Sequence, residues 1–183
     1  MRRAWWGPPT VLLTAGLLAA CSETVTGTAA PAGPAAPRMV TTQAATGVTG
    51  ALVADAVADE CLLNASELGS LLKRAVRPPV QSTIPHADGS SGSSCVVTAD
   101  AEPIAMINVY RAGTGVPADY IAPGSHPVSG AGDAAGVVTT DAGPMLQLAT
   151  RGYLVTILVA GGPAPADDAW RKAAAAALTR LPP

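Results

Sequence analysis

A cysteine near the N-terminus carries the clearest chemical signal in this sequence. Cys21 follows two small residues, Ala19 and Ala20, and before them come an apolar run and the basic pair Arg2-Arg3. This order is typical of a bacterial lipoprotein export signal. In such proteins the cysteine thiol forms a thioether with diacylglycerol, the preceding peptide is removed, and an acyl chain such as palmitate is added to the freed amine. We therefore expect residues 1–20 to be a signal peptide and Cys21 to be lipidated.

The alternative interpretation of residues 1–20 is a membrane-spanning or buried helix. The apolar run, 11–20, is shorter than the ~20 residues needed to cross a bilayer. Two or three acyl chains hold a protein stably on a membrane. The expected location is therefore the extracytoplasmic side of the cell membrane, with a lipid anchor as the contact.

The two remaining cysteines, Cys61 and Cys95, form an even pair in a chain expected to be exported. Exported proteins meet oxidising conditions, so the pair predicts a disulfide bond. The rival interpretation is a metal site completed by His86 or His126. The two histidines are not clustered and lack metal-ligand spacing. We expect no metal and no cofactor.

Two stretches resemble catalytic or nucleotide-binding motifs. Residues 89–94 place four serines near His86 and Asp88, which would suit a hydrolase, but the spacing of a nucleophile elbow is missing. Residues 130–135 fit G-x-G-x-x-A, yet they precede a predicted strand instead of following one. We expect both stretches to be loops, we predict no catalytic residues, and a hydrolase is the least favoured function.

A recognition surface is predicted around Tyr110, Arg111 and Arg151. These residues lie at or near predicted strand ends, beside a loop of more than twenty residues, 112–133. Loops of that length are often functional. The alternative is that the two arginines only cap solvent-facing strand edges.

The composition excludes some partners. The chain has 11 basic and 13 acidic side chains, and Arg2 and Arg3 leave with the signal peptide. Nucleic acids bind basic surfaces, so a nucleic-acid partner is not expected. No Lys/Arg cluster along the sequence favours anionic lipids either. Phe is absent and Trp170 is the only tryptophan after residue 20, so the core must be aliphatic.

The elements follow from turns and periodicity. Residues 21–54 comprise the lipidated cysteine and an Ala/Pro/Thr/Gly tether, and 55–183 form one domain. Asn64 and Glu67 suit a capping box before a helix whose apolar stripe runs to Val76. Pro165 suits the first turn of a C-terminal helix carrying Trp170.

Strands are predicted by hairpin-like turns between apolar runs. They are 95–99, 104–111, 136–140, 145–150 and 153–160. The result is an α+β fold: a mainly antiparallel sheet of about five strands with both helices on one face.

Several segments resemble a known family. The Cys-Ser start followed by Val25-Thr-Gly-Thr-Ala29 is similar to many mycobacterial lipoproteins. Asp59-Glu-Cys-Leu-Leu-Asn-Ala-Ser-Glu67, Ser94-Cys95-Val96 and Ile107-Asn-Val-Tyr-Arg111 resemble the actinobacterial lipoproteins grouped as domain of unknown function 3558. The resemblance spans residues 59–181. It implies an exported, lipid-anchored domain with a helix-to-strand disulfide, and it brings no established activity or catalytic residue.

Three functions remain in order of preference. The first is a non-enzymatic cell-envelope lipoprotein acting as a binding or accessory module for an envelope protein or small molecule. The second is a carrier or sensor of a small apolar ligand held between sheet and helices. A pocket of several hundred Å³ would favour the carrier of a small apolar ligand, and a flat apolar surface patch would favour the module that binds an envelope protein. The third is a hydrolase.

Overall fold

The structure is a computed structural model that describes residues 52–85 and 91–183. Eight strands, two α-helices and one 3₁₀-helix make up this part of the chain. In order they are β1 (Leu52–Val53), α1 (Ala65–Leu72), β2 (Val80–Pro85), β3 (Ser91–Ala99), β4 (Glu102–Ala112), the 3₁₀-helix (Pro117–Tyr120), β5 (His126–Pro127), β6 (Ala134–Thr140), β7 (Gly143–Thr150), β8 (Tyr153–Val159) and α2 (Asp167–Leu178).

All the strands join one antiparallel sheet in the order β2-β3-β4-β8-β7-β6-β5, with β1 added beside the end of β4. The prediction of an α+β fold with a mainly antiparallel sheet is confirmed. The prediction of about five strands is wrong, because β1, β2 and β5 were not expected. Two of these contain two residues each, and β2 is an edge strand with mixed polar and apolar side chains. Neither pattern stands out from a loop in the sequence.

The two faces of the sheet carry different side chains. On the face that we call the core face, strand residues join one buried cluster with residues of both helices. The strand members include Cys95, Val97, Ile107, Val109, Leu146, Leu148, Val155 and Ile157, and the helix members include Leu68, Leu71, Trp170 and Ala174. Alternate residues on the same strands point to the other side, which we call the second face.

The first helix begins as expected and ends early. Asn64 accepts a hydrogen bond from the Glu67 backbone, and the Glu67 carboxylate accepts one from the Asn64 backbone, so the capping box is present. The helix ends at Leu72 because Lys73 adopts a left-handed conformation, with φ 51°. The prediction that helical structure continues to Val76 is therefore wrong, although Val76 still packs against the core.

The second helix lies against the first. Its N-cap is Ala166, so Pro165 precedes the helix and is not in its first turn as predicted. Trp170 is 1% exposed and belongs to the core, as its helical spacing suggested. Just beyond the helix, Arg180 donates hydrogen bonds to the Leu62 carbonyl at 2.7 Å and to the Glu67 carboxylate at 2.8 Å.

Candidate functional site

Two of the three predicted recognition residues meet at one corner of the domain. Arg111 near the end of β4 and Arg151 in the β7–β8 turn line a depression of about 350 Å³ together with Tyr153. We call these three residues the arginine corner. Arg151 (φ 41°) and Gly152 (φ 83°) give the turn its two left-handed residues, as tight hairpins require.

The Arg111 side chain is held in place by an aromatic ring. Its Nη2 donates to the Tyr153 hydroxyl at 2.7 Å, and its guanidinium carbon lies 5.1 Å from the centre of that ring. Arg111 and Tyr153 are direct cross-strand partners, which explains this contact. The ring therefore orients an otherwise exposed cation.

Tyr110 does not belong to this corner. Adjacent strand residues point to opposite faces, and Tyr110 lies on the second face, opposite Leu154 of β8. Burial raises the pKa of Tyr110, and the negative charge of Glu60 raises it further. The prediction that Tyr110 shares a surface with Arg111 and Arg151 does not fit this geometry.

A larger cavity lies where α1 ends, and the sequence did not suggest it. Its volume is about 640 Å³, and we call it the α1 cleft. Its lining comes from three segments. They are Leu71 to Arg74 at and just after the end of α1, Glu102 to Ile104 at the start of β4, and Val159 to Pro165 at and after the end of β8. Most of these side chains are apolar, and three of them, Leu71, Ile104 and Val159, also belong to the buried core.

The segment after β8 shapes one wall of the α1 cleft. Gly161 (φ 68°) and Gly162 (φ 78°) are both left-handed, a conformation that side-chain-bearing residues avoid. Pro163 and Pro165 follow at once and restrict the backbone on the way to α2. The charge of Arg74, another lining residue, is partly balanced, since its guanidinium lies 3.5 Å from the Asp100 carboxylate.

A row of apolar side chains crosses the second face. Each residue of this row is the direct partner of the next on the neighbouring strand. In order from β2 to β6, they are Val80, Val96, Met106, Leu158, Met145 and Val138. Val80 is 60% exposed, while Met106 and Met145 are buried. We call these six residues the apolar row.

Next to the apolar row lies a row of polar side chains, of which Ser94, Thr156 and Gln147 are buried and Asn108 is half-buried. The Ser94 hydroxyl donates to Asn108, whose amide lies 3.5 Å from the Thr156 hydroxyl. Gln147 completes the row and accepts a hydrogen bond from the Ala122 backbone at 2.7 Å. Ala122 belongs to the long connection between β4 and β5, so the predicted long loop packs over this part of the second face. Each hydrogen bond offsets the cost of burying a polar group.

Glu60 is a buried acid that the sequence did not single out. Its side chain is 1% exposed, and Oε2 has no hydrogen-bond partner within the described ranges. Burial raises the pKa of Glu60 to about 7, and the charge of Asp55 acts in the same direction. A hydrogen bond from the Val109 backbone acts against this shift.

Strand divergence explains why acids gather near Glu60. β3 leaves β4 after the pair Cys95 and Ile107, and β1 joins β4 only at Arg111. The backbone amides between these points need other acceptors. Glu60 accepts from Val109, and Asp55 accepts from the Ser93 amide at 2.6 Å.

The structure pairs Cys61 with Cys95 in a disulfide, with Cα atoms 4.9 Å apart. His126 lies elsewhere, 3.0 Å from the Asp167 carboxylate at the start of α2. Among the described residues, no group of three potential ligands could hold a metal ion. Within the same ranges, no hydroxyl or thiol group is hydrogen-bonded to the His126 ring.

Several predicted features lie outside the described residues. They are the signal peptide, Cys21, most of the tether, and the stretch that holds His86 and Asp88. No helix in the part of the chain that the structure describes is long and apolar enough to span a membrane.

Comparison with known proteins leaves the family open. No family model matches the chain, and no curated protein or solved structure matches it either. The resemblance to the lipoproteins of domain of unknown function 3558 therefore stays a prediction.

Proposed function

We propose that this chain is a non-enzymatic lipoprotein of the cell envelope, similar to those of domain of unknown function 3558. In this proposal a lipid on Cys21 anchors it to the extracytoplasmic side of the cell membrane, and the tether that follows Cys21 leads to the domain, whose first strand is Leu52–Val53. The domain acts as a binding module, and its ligand is a small apolar molecule that occupies the α1 cleft. Support for the anchor comes from the sequence around Cys21.

The α1 cleft is the observation that carries the ligand proposal. Pockets for small molecules measure roughly 300–1,000 Å³ and are lined mainly by apolar groups with a few polar ones. The cleft has about 640 Å³ and is lined mainly by apolar residues, with Lys73, Arg74 and Glu102 as the charged ones. An apolar ligand placed there would cover Leu72, which is half-buried, and would bury its own apolar surface.

Binding is preferred to catalysis because the polar side chains described above, apart from Oε2 of Glu60, take part in structural contacts. His126 pairs with Asp167 at the surface, and the buried polar row bonds within itself and to the loop above it. Glu60, the acid with the raised pKa, accepts a backbone hydrogen bond beside the disulfide. A catalytic acid would need to face a cavity that holds the substrate.

A fluorescence titration with N-phenyl-1-naphthylamine, an uncharged apolar dye, tests the cleft. We expect the mature protein to bind the dye, and Ala164→Trp to weaken binding at least about tenfold, because a large side chain would enter the cleft. Ala175→Trp is the matched control, since Ala175 is exposed on α2 and does not line the cleft. Equal dye affinities for the two variants, or no dye binding at all, would contradict the proposal.

The apolar row supports a second candidate, an accessory module that docks an envelope protein. Four members of the row keep some solvent exposure, and Val80 is 60% exposed. Docking would predict a crosslinked partner in intact envelopes that disappears on Val80→Lys with Val138→Lys. Thr139→Lys is the control, because Thr139 is exposed on the same strand as Val138 but points the other way. Loss of crosslinking in the control as well would remove the apolar row from consideration.

A further inference from the structure

We propose that the arginine corner binds the phosphate groups of anionic phospholipids in the membrane to which the protein is anchored. This inference rests on the proposed lipid anchor at Cys21. It is independent of the α1 cleft.

The corner brings together two cations that are forty residues apart in the sequence. Arg111 and Arg151 are both exposed, and both line the same depression. Within residues 52–85 and 91–183, no carboxylate lies within ion-pair distance of either guanidinium. Of the other basic side chains, Arg74, Lys172 and Arg180 form ion pairs with Asp100, Asp168 and Glu67. In the same ranges Lys73, Arg77 and Arg171 are also without an ion pair, but none of them lines the depression that holds Arg111 and Arg151.

One acid does contact this corner. The carboxylate of Asp133 accepts a hydrogen bond from the Arg151 backbone amide at 3.2 Å. That contact ties the turn to Asp133, whose negative charge lies near the corner, but no ion pair joins the Asp133 carboxylate to the Arg151 side chain in the described ranges. The corner therefore keeps two cationic groups.

The chemistry of the corner suits a phosphate. A guanidinium presents several N–H groups in a planar fork, which matches the oxygens of a phosphate group. Arg111 is already oriented by its contacts with Tyr153, so less side-chain freedom is lost on binding. Tyr153 also provides the depression with a largely buried aromatic wall.

The position of the corner favours a lipid phosphate over a phosphate in solution. The chain that leads from the anchor enters the domain at β1, where Leu52 pairs with Ala112 and Val53 pairs with Arg111. Arg111 therefore lies beside the attachment point of the tether, and a tether raises the effective concentration of whatever it links. Val53 is 52% exposed at the same place and offers an apolar side chain to the interface.

The expected strength is modest. A basic residue near an anionic membrane contributes a factor of about five in binding. Two arginines would orient an anchored domain without anchoring it alone. Because salt screens exposed charges, the contact should weaken as ionic strength rises.

Arginine footprinting of the full lipidated protein in vesicles tests the inference. Phenylglyoxal modifies accessible guanidinium groups, and mass spectrometry reports the modification rate at each arginine. We expect the rates at Arg111 and Arg151 to fall about fivefold when phosphatidylglycerol replaces part of the phosphatidylcholine, and to recover at ~0.5 M salt. Arg77 and Arg171 are exposed controls outside the corner and should keep their rates.

Three other outcomes would each contradict a different proposal. Equal protection of all four arginines, or of none, would overturn the inference while leaving the anchor proposal intact. Protection by inorganic phosphate in phosphatidylcholine vesicles, equal to that by phosphatidylglycerol, would show a site for soluble oxyanions and overturn the lipid assignment. A protein that carries no lipid when extracted from membranes would instead contradict the proposed function.

Discussion

Replacing Glu60 by Gln should change how the stability of the domain depends on pH. Glu60 is buried, and its pKa is raised from 4.5 to about 7 by loss of hydration. Gln has nearly the same shape and can accept the hydrogen bond from the Val109 backbone through its carbonyl oxygen. It carries no charge at any pH, so the substitution isolates the effect of ionisation.

The sign follows from proton binding. Between pH 4.5 and about 7, the folded protein holds a proton on Glu60 that the unfolded chain has released. The free energy of unfolding must therefore fall as pH rises through this window. Glu60 contributes its full stability below pH 4.5 and loses it as pH rises through about 7.

The size follows from the difference between the two pKa values. Each pKa unit corresponds to about 1.4 kcal/mol, so the change from 4.5 to about 7 corresponds to about 3 kcal/mol at most. Relative to the unsubstituted protein, Glu60→Gln should thus gain about 3 kcal/mol between pH 4.5 and pH 8. Stabilities of whole domains are only about 5–15 kcal/mol, so this effect is large.

Urea unfolding at several pH values, followed by Trp170 fluorescence, measures the effect. The difference between variant and unsubstituted protein cancels the contributions of groups that the substitution does not affect. Glu102→Gln is the matched control, because Glu102 is an exposed residue at the start of β4. Parallel stability curves for Glu60→Gln and the unsubstituted protein would show that burial does not shift this acid, and the reasoning would fail.

Three further predictions concern the anchor, the disulfide and the core. Cys21→Ala should abolish lipidation and leave an unprocessed or released precursor; partitioning of the mutant into a detergent phase at the mature mass would contradict the export signal. Cys61 and Cys95 should give no free thiol when the unreduced protein is unfolded and labelled, whereas stoichiometric labelling of both would refute the bond. Trp170→Ala should cost ~3–5 kcal/mol in unfolding free energy, because this side chain is 1% exposed within the aliphatic core; native Trp170 fluorescence that is red and freely quenched by iodide would contradict its burial.

The sequence was informative wherever local chemistry decides the structure. The start of α1 was predicted because a capping box is a local contact between Asn64 and Glu67. The hairpins β3–β4, β6–β7 and β7–β8 were predicted because short turns separate strongly apolar runs. Two-residue strands and the polar edge strand β2 carry no such signal, since their pairing depends on the neighbouring strand.

The candidate sites depend on contacts between distant segments, so less of them could be predicted. Strand ends suggested that Arg111 and Arg151 lie near a cleft, and the structure places both in one depression. It places Tyr110 on the other face, since adjacent strand residues alternate. The burial of Glu60 arises where β3 and β4 diverge, and no pattern within residues 55–61 reveals that divergence. The α1 cleft likewise brings together the end of α1, the start of β4 and the segment after β8, which are far apart in the sequence.

The strand order has a consequence for how the chain folds. β2 to β4 and β5 to β8 are two runs of sequential neighbours, and they meet only where β8 pairs with β4. The centre of the sheet is therefore completed only when β8 pairs with β4. The core face is covered fully only when α2 packs against it. A chain that emerges from a ribosome or an export pore with its N-terminus first could form β2–β4 and β5–β7 as two separate half-sheets. These half-sheets would stay unconnected until β8 emerges. Such a chain completes its sheet only when β8 (Tyr153–Val159) is free to pair, and until then the facing edges of β4 and β7 stay without a partner strand.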